Sequence, residues 1–223
     1  MRHRTIVYTA IIGPYDDLHD PLIVSPDCDY VCFTDQPLTS DVWKIVHVTP
    51  MTGEDTRRTA KRHKIFPHVL FPEHTQSLWV DAHQTLRVDP SPLFDQFLRQ
   101  HDIALPAHPK RDCIYDEAVA CKTASLDFPN AIDSHMQSYR AEGYPEHAGL
   151  AATGFILRRH TDAVSKLMTA WWNEIVRFNS RRDQLSFNAA CWKTNIHHDV
   201  ILSDYSNNPY IIFHAHKRTG TAQ

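Results

Sequence analysis

Apolar and polar positions along this chain follow two alternating rhythms. Short runs rich in β-branched and aromatic residues, at 5–12, 30–34, 44–48, 78–80, 154–158 and 210–214, predict strands. The segments between them carry helical signals. Residues 55–66 predict a helix stopped by Pro67, and Ser91-Pro92 offers an N-cap and a first-turn proline ahead of a helix over 93–100. From Thr161 onward, Val164, Leu167, Met168, Trp171, Trp172 and Ile175 recur at three- and four-residue steps, which makes one apolar stripe. A further helix is expected over 183–192. Strands alternating with helices predict an α/β sandwich whose mostly parallel sheet is covered on both faces.

No internal repeat or low-complexity linker divides the 223 residues, so residues 1–223 read as one domain. Segments 105–111 and 127–149 read as long excursions from the sheet, suited to an acceptor-binding wall. An apolar content of 42% with 22% charged residues fits a globular domain, and the net charge of −3 gives no general pull toward nucleic acid or acidic membranes. No stretch approaches the roughly 18 apolar residues of a membrane span. The basic start Met1-Arg2-His3-Arg4 imitates a signal peptide. Its apolar run, however, ends in the turn Gly13-Pro14-Tyr15-Asp16-Asp17 and reads as the first strand. Five cysteines without a C-x-x-C pair point to free thiols in a reducing cytoplasm rather than to a zinc site built from cysteines.

Candidate chemistry concentrates where predicted strands end. The run Ser77-Leu78-Trp79-Val80-Asp81-Ala82-His83 delivers an acid and then an imidazole; in extended chain, Asp81 and His83 share one face. In open α/β sheets, ligands bind just beyond such strand ends. The Gly13–Asp17 turn offers Tyr15 to stack on a base and Asp16 to accept from a ribose, or is an ordinary proline turn. Asp35, after Cys32-Phe33-Thr34, can accept from a nucleotide or cap its own turn. Arg57, Lys61 and Lys64 fall along one side of the 55–66 helix, a row able to neutralise a diphosphate or to remain a solvated basic face. Near the C-terminus, His214 and His216 again share a side, with Lys217 and Arg218 able to cover a phosphate. Asp183, in Arg181-Arg182-Asp183-Gln184, is either an N-cap or a cleft carboxylate; the acidic pair Asp116-Glu117 is a candidate base.

Six pieces in order carry a family resemblance: Tyr8 through Asp16, Cys32 through Asp35, Arg57 through Lys64 with Pro67-His68, Leu78 through Asp81, His108 through Glu117, and Arg182 through Phe187. In these the chain resembles the bacterial branch of the TOD1/MUCI70-type glycosyltransferase-like family, formerly domain of unknown function 616. The resemblance implies a GT-A-like (Rossmann-like) α/β/α sandwich, with a nucleotide-binding part over residues about 1–90 and an acceptor-side part over about 91–223. It further implies transfer of a hexose-type sugar from a nucleoside-diphosphate sugar to a glycan or other hydroxyl acceptor, with Mn²⁺ or Mg²⁺ on the diphosphate. Asp81 matches the first acid of the family's Asp-x-Asp motif, His83 stands where the second acid is expected, and His214 or His216 fills the late histidine position. Asp183 and Glu117 are the candidates for stabilising the cationic sugar or activating the acceptor. Two other readings stay open: a metal-dependent hydrolase using Asp81, His83, His214 and His216, and a non-catalytic module that binds a nucleotide or glycan on the same fold.

Overall fold

Residues 4–50, 55–202 and 204–217 are described by a computed structural model. In chain order the strands are β1 (Thr5–Ile11), β2 (Cys28–Thr34), β3 (Lys44–His47), β4 (Gln76–Val80), β5 (Gln84–Leu86), β6 (Ile103–Leu105), β7 (Phe155–Arg159), β8 (Asp199–Val200) and β9 (Ile211–Phe213). The helices are α1 (Thr56–Ile65), α2 (Pro67–Leu70), α3 (Ser91–Phe97), α4 (Ile114–Thr123), α5 (Pro129–Glu142), α6 (Asp162–Arg177) and α7 (Gln184–Thr194).

Seven strands form one mostly parallel sheet in the order β3-β2-β1-β4-β7-β6-β8; only the two pairings of β7 are antiparallel. Burial on both faces explains the near-continuous apolar runs of β1 and β4. On one face Ile6, Tyr8, Trp79 and Ile156 meet the α6 stripe of Leu167, Met168, Trp171 and Ile175. On the other, Val7, Leu78 and Leu157 meet Leu93 and Phe94 of α3. Parallel pairing of β1 with β4 sets their carboxyl ends side by side, so the turn after Ile11 faces the turn after Val80.

Fully buried Arg158 ties α1 to this sheet. Its guanidinium donates to the Lys64 carbonyl at 2.9 Å and to the Tyr8 hydroxyl at 2.5 Å, and that hydroxyl donates to the same carbonyl at 2.5 Å. The C-terminal turn of α1, and with it Lys64, is thereby held over the strand ends.

Segment 127–149 is not the open excursion expected: residues 129–142 form α5, which packs with α4 and α7 around Ile114, Ile132, Tyr139 and Leu185. Its start and stop signals are legible in hindsight, with Pro129 in the first turn and Gly143 at φ +83° closing a left-handed cap. The predicted 93–100 helix is shorter, ending at Phe97. Among the described residues, no helix is long and apolar enough to cross a membrane.

Candidate functional site

A cleft of about 600 Å³ opens at the carboxyl ends of β1 and β4, walled by α1 on one side and the start of α7 on another. Gly13, at φ +82°, turns the chain out of β1, and its N–H donates to Asp35 Oδ1 at 2.8 Å. Asp35 thus braces the turn from outside the cleft. The turn presents Tyr15, 37% exposed, with the Arg57 guanidinium 5.5 Å from its ring centroid and the His216 ring 4.7 Å away.

After β4 the chain does not stay extended. The Gln84 N–H donates to the Asp81 carbonyl at 3.0 Å, so residues 81–84 form a tight turn and Asp81 and His83 part company. The Asp81 carboxylate accepts from Trp79 Nε1 at 2.6 Å and stands 3.6 Å from Lys64 Nζ. It also packs against Gly154, where an added Cβ would lie 2.9 Å from Asp81 Oδ2 and 2.6 Å from the Tyr205 hydroxyl. A Cβ there would force these side-chain ends to shift.

His83 turns toward the chain's C-terminal segment. Antiparallel pairing of β5 with β9 brings residues 214–217 across the cleft mouth, with the His214 N–H donating to the His83 carbonyl at 2.8 Å. The Asp16 carboxylate accepts from His216 Nδ1 at 2.7 Å, and the rings of His83 and His216 lie 4.3 Å apart. One ligand atom from each of Asp16, His83 and His216 lies within 4.8 Å of the others. Burial lowers the His83 pKa below its usual value against the opposing charges of Asp81 and Asp16, so its imidazole is neutral at pH 7 and able to ligate. A carboxylate and two imidazoles suit a borderline divalent ion. His214 points elsewhere: it stacks on His19 at 3.8 Å and shares a hydrogen bond with the Thr85 hydroxyl at 2.9 Å. Arg218 lies outside the described residues.

A buried polar cluster lies under α1. Asp183 is 5% exposed and sits at the N-cap position of α7, yet its carboxylate caps nothing. It receives Lys64 Nζ at 2.7 Å, Lys61 Nζ at 3.5 Å and the Thr153 hydroxyl at 3.1 Å. Burial alone would raise its pKa; the charges of Lys64, Lys61 and Arg182, with the Lys64 hydrogen bond, win and hold the carboxyl well below the usual range. Lys61 is pulled the other way by burial, below an ordinary lysine, with Asp183 opposing.

Nine of the residues proposed from sequence meet in this one cleft: Tyr15, Asp16, Arg57, Lys61, Lys64, Asp81, His83, Asp183 and His216. Asp35, His214 and Glu117 stand behind it. Glu117 is 3% exposed and anchors Arg111 at 2.6 Å, His108 at 3.7 Å and Arg182 at 3.8 Å. Thr153, Gly154, Gln84 and Tyr205 also line the cleft and escaped the sequence reading. Of these only Gly154, a lone glycine at the head of a strand, carries a local signal of close approach.

The chain is similar to known proteins over nearly its whole length. The model of the TOD1/MUCI70, glycosyltransferase-like domain matches residues 1–216. Probable hexosyltransferase MUCI70 of Arabidopsis thaliana is 30% identical over 210 residues, covering 82% of this chain and 36% of that protein. Alkaline ceramidase TOD1 of the same plant is 26% identical over 221 residues, covering 82% and 47% respectively. The chain thus spans less than half the length of these curated relatives. Among solved structures, the apo WbbM bifunctional glycosyltransferase superposes with a TM-score of 0.50 at 8% identity, covering 92% of this chain and 39% of that one, a likeness of fold alone.

Proposed function

Because the chain belongs to the TOD1/MUCI70 glycosyltransferase-like family and has a GT-A-like α/β fold, we propose that it is a glycosyltransferase that moves a sugar from a nucleoside-diphosphate donor to a hydroxyl acceptor. One observation carries this reading. The cleft at the strand ends is lined by five Lys and Arg against three Asp, in a chain whose net charge is −3. A locally cationic cleft in an acidic protein suits a polyphosphate.

Breaking the bond between the anomeric carbon and the diphosphate leaves negative charge on the leaving group and positive charge on the sugar. Arg57, on the exposed rim beside Tyr15, offers its planar fork to paired phosphate oxygens, while Tyr15 offers a ring face to the base. Lys61 and Lys64 supply fixed positive charge beneath, where a sheltered site strengthens it. Asp16, His83 and His216 fit a divalent ion, which when bound would add charge neutralisation at the diphosphate. Asp183, held ionised by its two lysines, is too weak a base to take the acceptor proton at neutral pH. Its carboxylate instead sets the lysines and stabilises cationic character on the sugar. Glu117 acts at one remove, through Arg182 and His108.

The test is release of nucleoside diphosphate from a panel of donor sugars, with and without acceptor glycans. The wild type turns over one donor, and folded Asp81→Ala does not; undiminished release by folded Asp81→Ala would overturn the assignment. A second reading, hydrolysis of an amide or ester bond, is favoured by the Asp16–His83–His216 cluster, together with the relative named as a ceramidase. It predicts metal-dependent cleavage with no affinity for any nucleotide.

A further inference from the structure

A second group of metal-capable side chains lies apart from the cleft, at the N-terminus of α4. Cys113 Sγ, one Asp116 carboxylate oxygen and one His147 ring nitrogen lie within 4.8 Å of one another, and none of the three lines the cleft. Cys113 and Asp116 are three residues apart at the helix start, which sets them on one side of the first turn. His147 comes from the segment between α5 and β7, with its backbone at φ +54°, a left-handed conformation unusual outside glycine. Asp112 Oδ1 accepts from His147 Nδ1 at 2.8 Å, which leaves Nε2 as the nitrogen a cation would take in place of a proton. A carboxylate behind a ligating imidazole is the usual support of a protein metal site.

We propose that Cys113, Asp116 and His147 form a site for a thiophilic divalent cation, with zinc the best match. Thiolate, imidazole and carboxylate together select a borderline-soft ion, and zinc accepts three protein ligands with water in the fourth place. Zinc bonds of about 2.0 Å to nitrogen or oxygen and 2.3 Å to sulfur set ligand atoms about 3.3–3.5 Å apart in a tetrahedron. The observed group needs to contract by no more than about 1.5 Å, and two of its three members, Asp116 and His147, are exposed and able to move. Binding releases the thiol proton to water, so no further reactant is required.

The site joins two parts of the acceptor side. From His147 the chain runs three residues to Leu150, whose carbonyl accepts from the His108 N–H at 2.7 Å, and Ala151 bridges Ala107. His108 and Pro109 line the cleft. A cation clamping residue 147 to the start of α4 therefore staples the base of the cleft wall that carries His108.

Cobalt distinguishes this site from any ion in the cleft, because Asp16, His83 and His216 supply no sulfur. The chelator-stripped chain is titrated with Co²⁺ and the near-ultraviolet sulfur-to-cobalt charge-transfer band is recorded. Zinc is then added to displace the cobalt. The band is expected in the wild type and in His83→Ala at one ion per chain, and is expected to vanish in Cys113→Ser and in His147→Ala. His147 is exposed, so its variant keeps the fold even if Cys113→Ser does not. Absence of the band in the wild type overturns the proposal, as does its persistence in His147→Ala or its loss in His83→Ala.

Discussion

Asp183→Asn isolates the charge balance at the base of the cleft. The substitution keeps the shape of the side chain and removes its charge. Lys64, with a side chain 6% exposed, loses its 2.7 Å partner and keeps as its charged partner Asp81 at 3.6 Å, beside the Thr153 hydroxyl at 3.3 Å; Lys61, 17% exposed, loses its partner at 3.5 Å. Removing one member of a buried pair costs about 3–5 kcal/mol, because the remaining charge stays desolvated. With a urea slope of roughly 2–3 kcal/mol per molar, the unfolding midpoint falls by about 1–2.5 M. The pH dependence follows from the same pairing. The folded carboxyl titrates below its unfolded value of about 3.9, so its contribution is present above that pH and declines as acid is added; Asp183→Asn lacks this acid-side decline. The double variant Asp183→Asn/Lys64→Met removes both charges and recovers much of the loss. Urea titrations monitored by tryptophan fluorescence at pH 7 and at about pH 3, inside that window, measure all three. A loss below about 1 kcal/mol for Asp183→Asn, or a double variant no more stable than the single one, would refute the buried charge cluster as described.

Two more outcomes follow from single positions. Gly154→Ala places a methyl group 2.6 Å from the Tyr205 hydroxyl and 2.8 Å from Gln84 Nε2; it is expected to cost about 1–3 kcal/mol in thermal unfolding and to lower turnover by displacing Asp81. His135, fully buried beside Phe178 at 4.0 Å, has its pKa pushed down by burial to about 3. Below about pH 6.5 the unfolded chain takes up a proton the folded chain refuses, so stability falls between pH 6.5 and 3, and His135→Leu flattens that slope in urea titrations.

The fold was legible wherever burial writes a simple pattern. β1, β2 and β4 are buried on both faces, so their runs are continuous; α6 buries one stripe, and that stripe stands in the sequence. α7 is buried from Gln184 through Cys191, so it has no stripe, and its helical signal rests on length and flanks. β5 and β9 are three-residue strands that gain meaning only by pairing across more than a hundred residues. That pairing is what carries His216 to His83, which no local pattern reveals. Asp81 and His83 show the converse: two residues apart, they face different neighbours, because a turn replaces the extended chain that periodicity assumes. Asp16, expected to face a nucleotide, lines the cleft and stands there with the histidines. The basic row on α1 was visible, but its division of labour was not. Two of its members lie at the base of the cleft against Asp183, and only Arg57 stands on the rim.

The most direct measurement is calorimetric titration of the wild type and Arg57→Ala with UDP, GDP and CMP, each in Mn²⁺ and in EDTA. The cationic cleft predicts that one nucleotide binds the wild type, more weakly in EDTA, and that Arg57→Ala loses roughly tenfold or more of that affinity, about 1.4 kcal/mol. Absence of binding by every nucleotide, or equal affinity in Arg57→Ala, would contradict a donor-diphosphate site in this cleft.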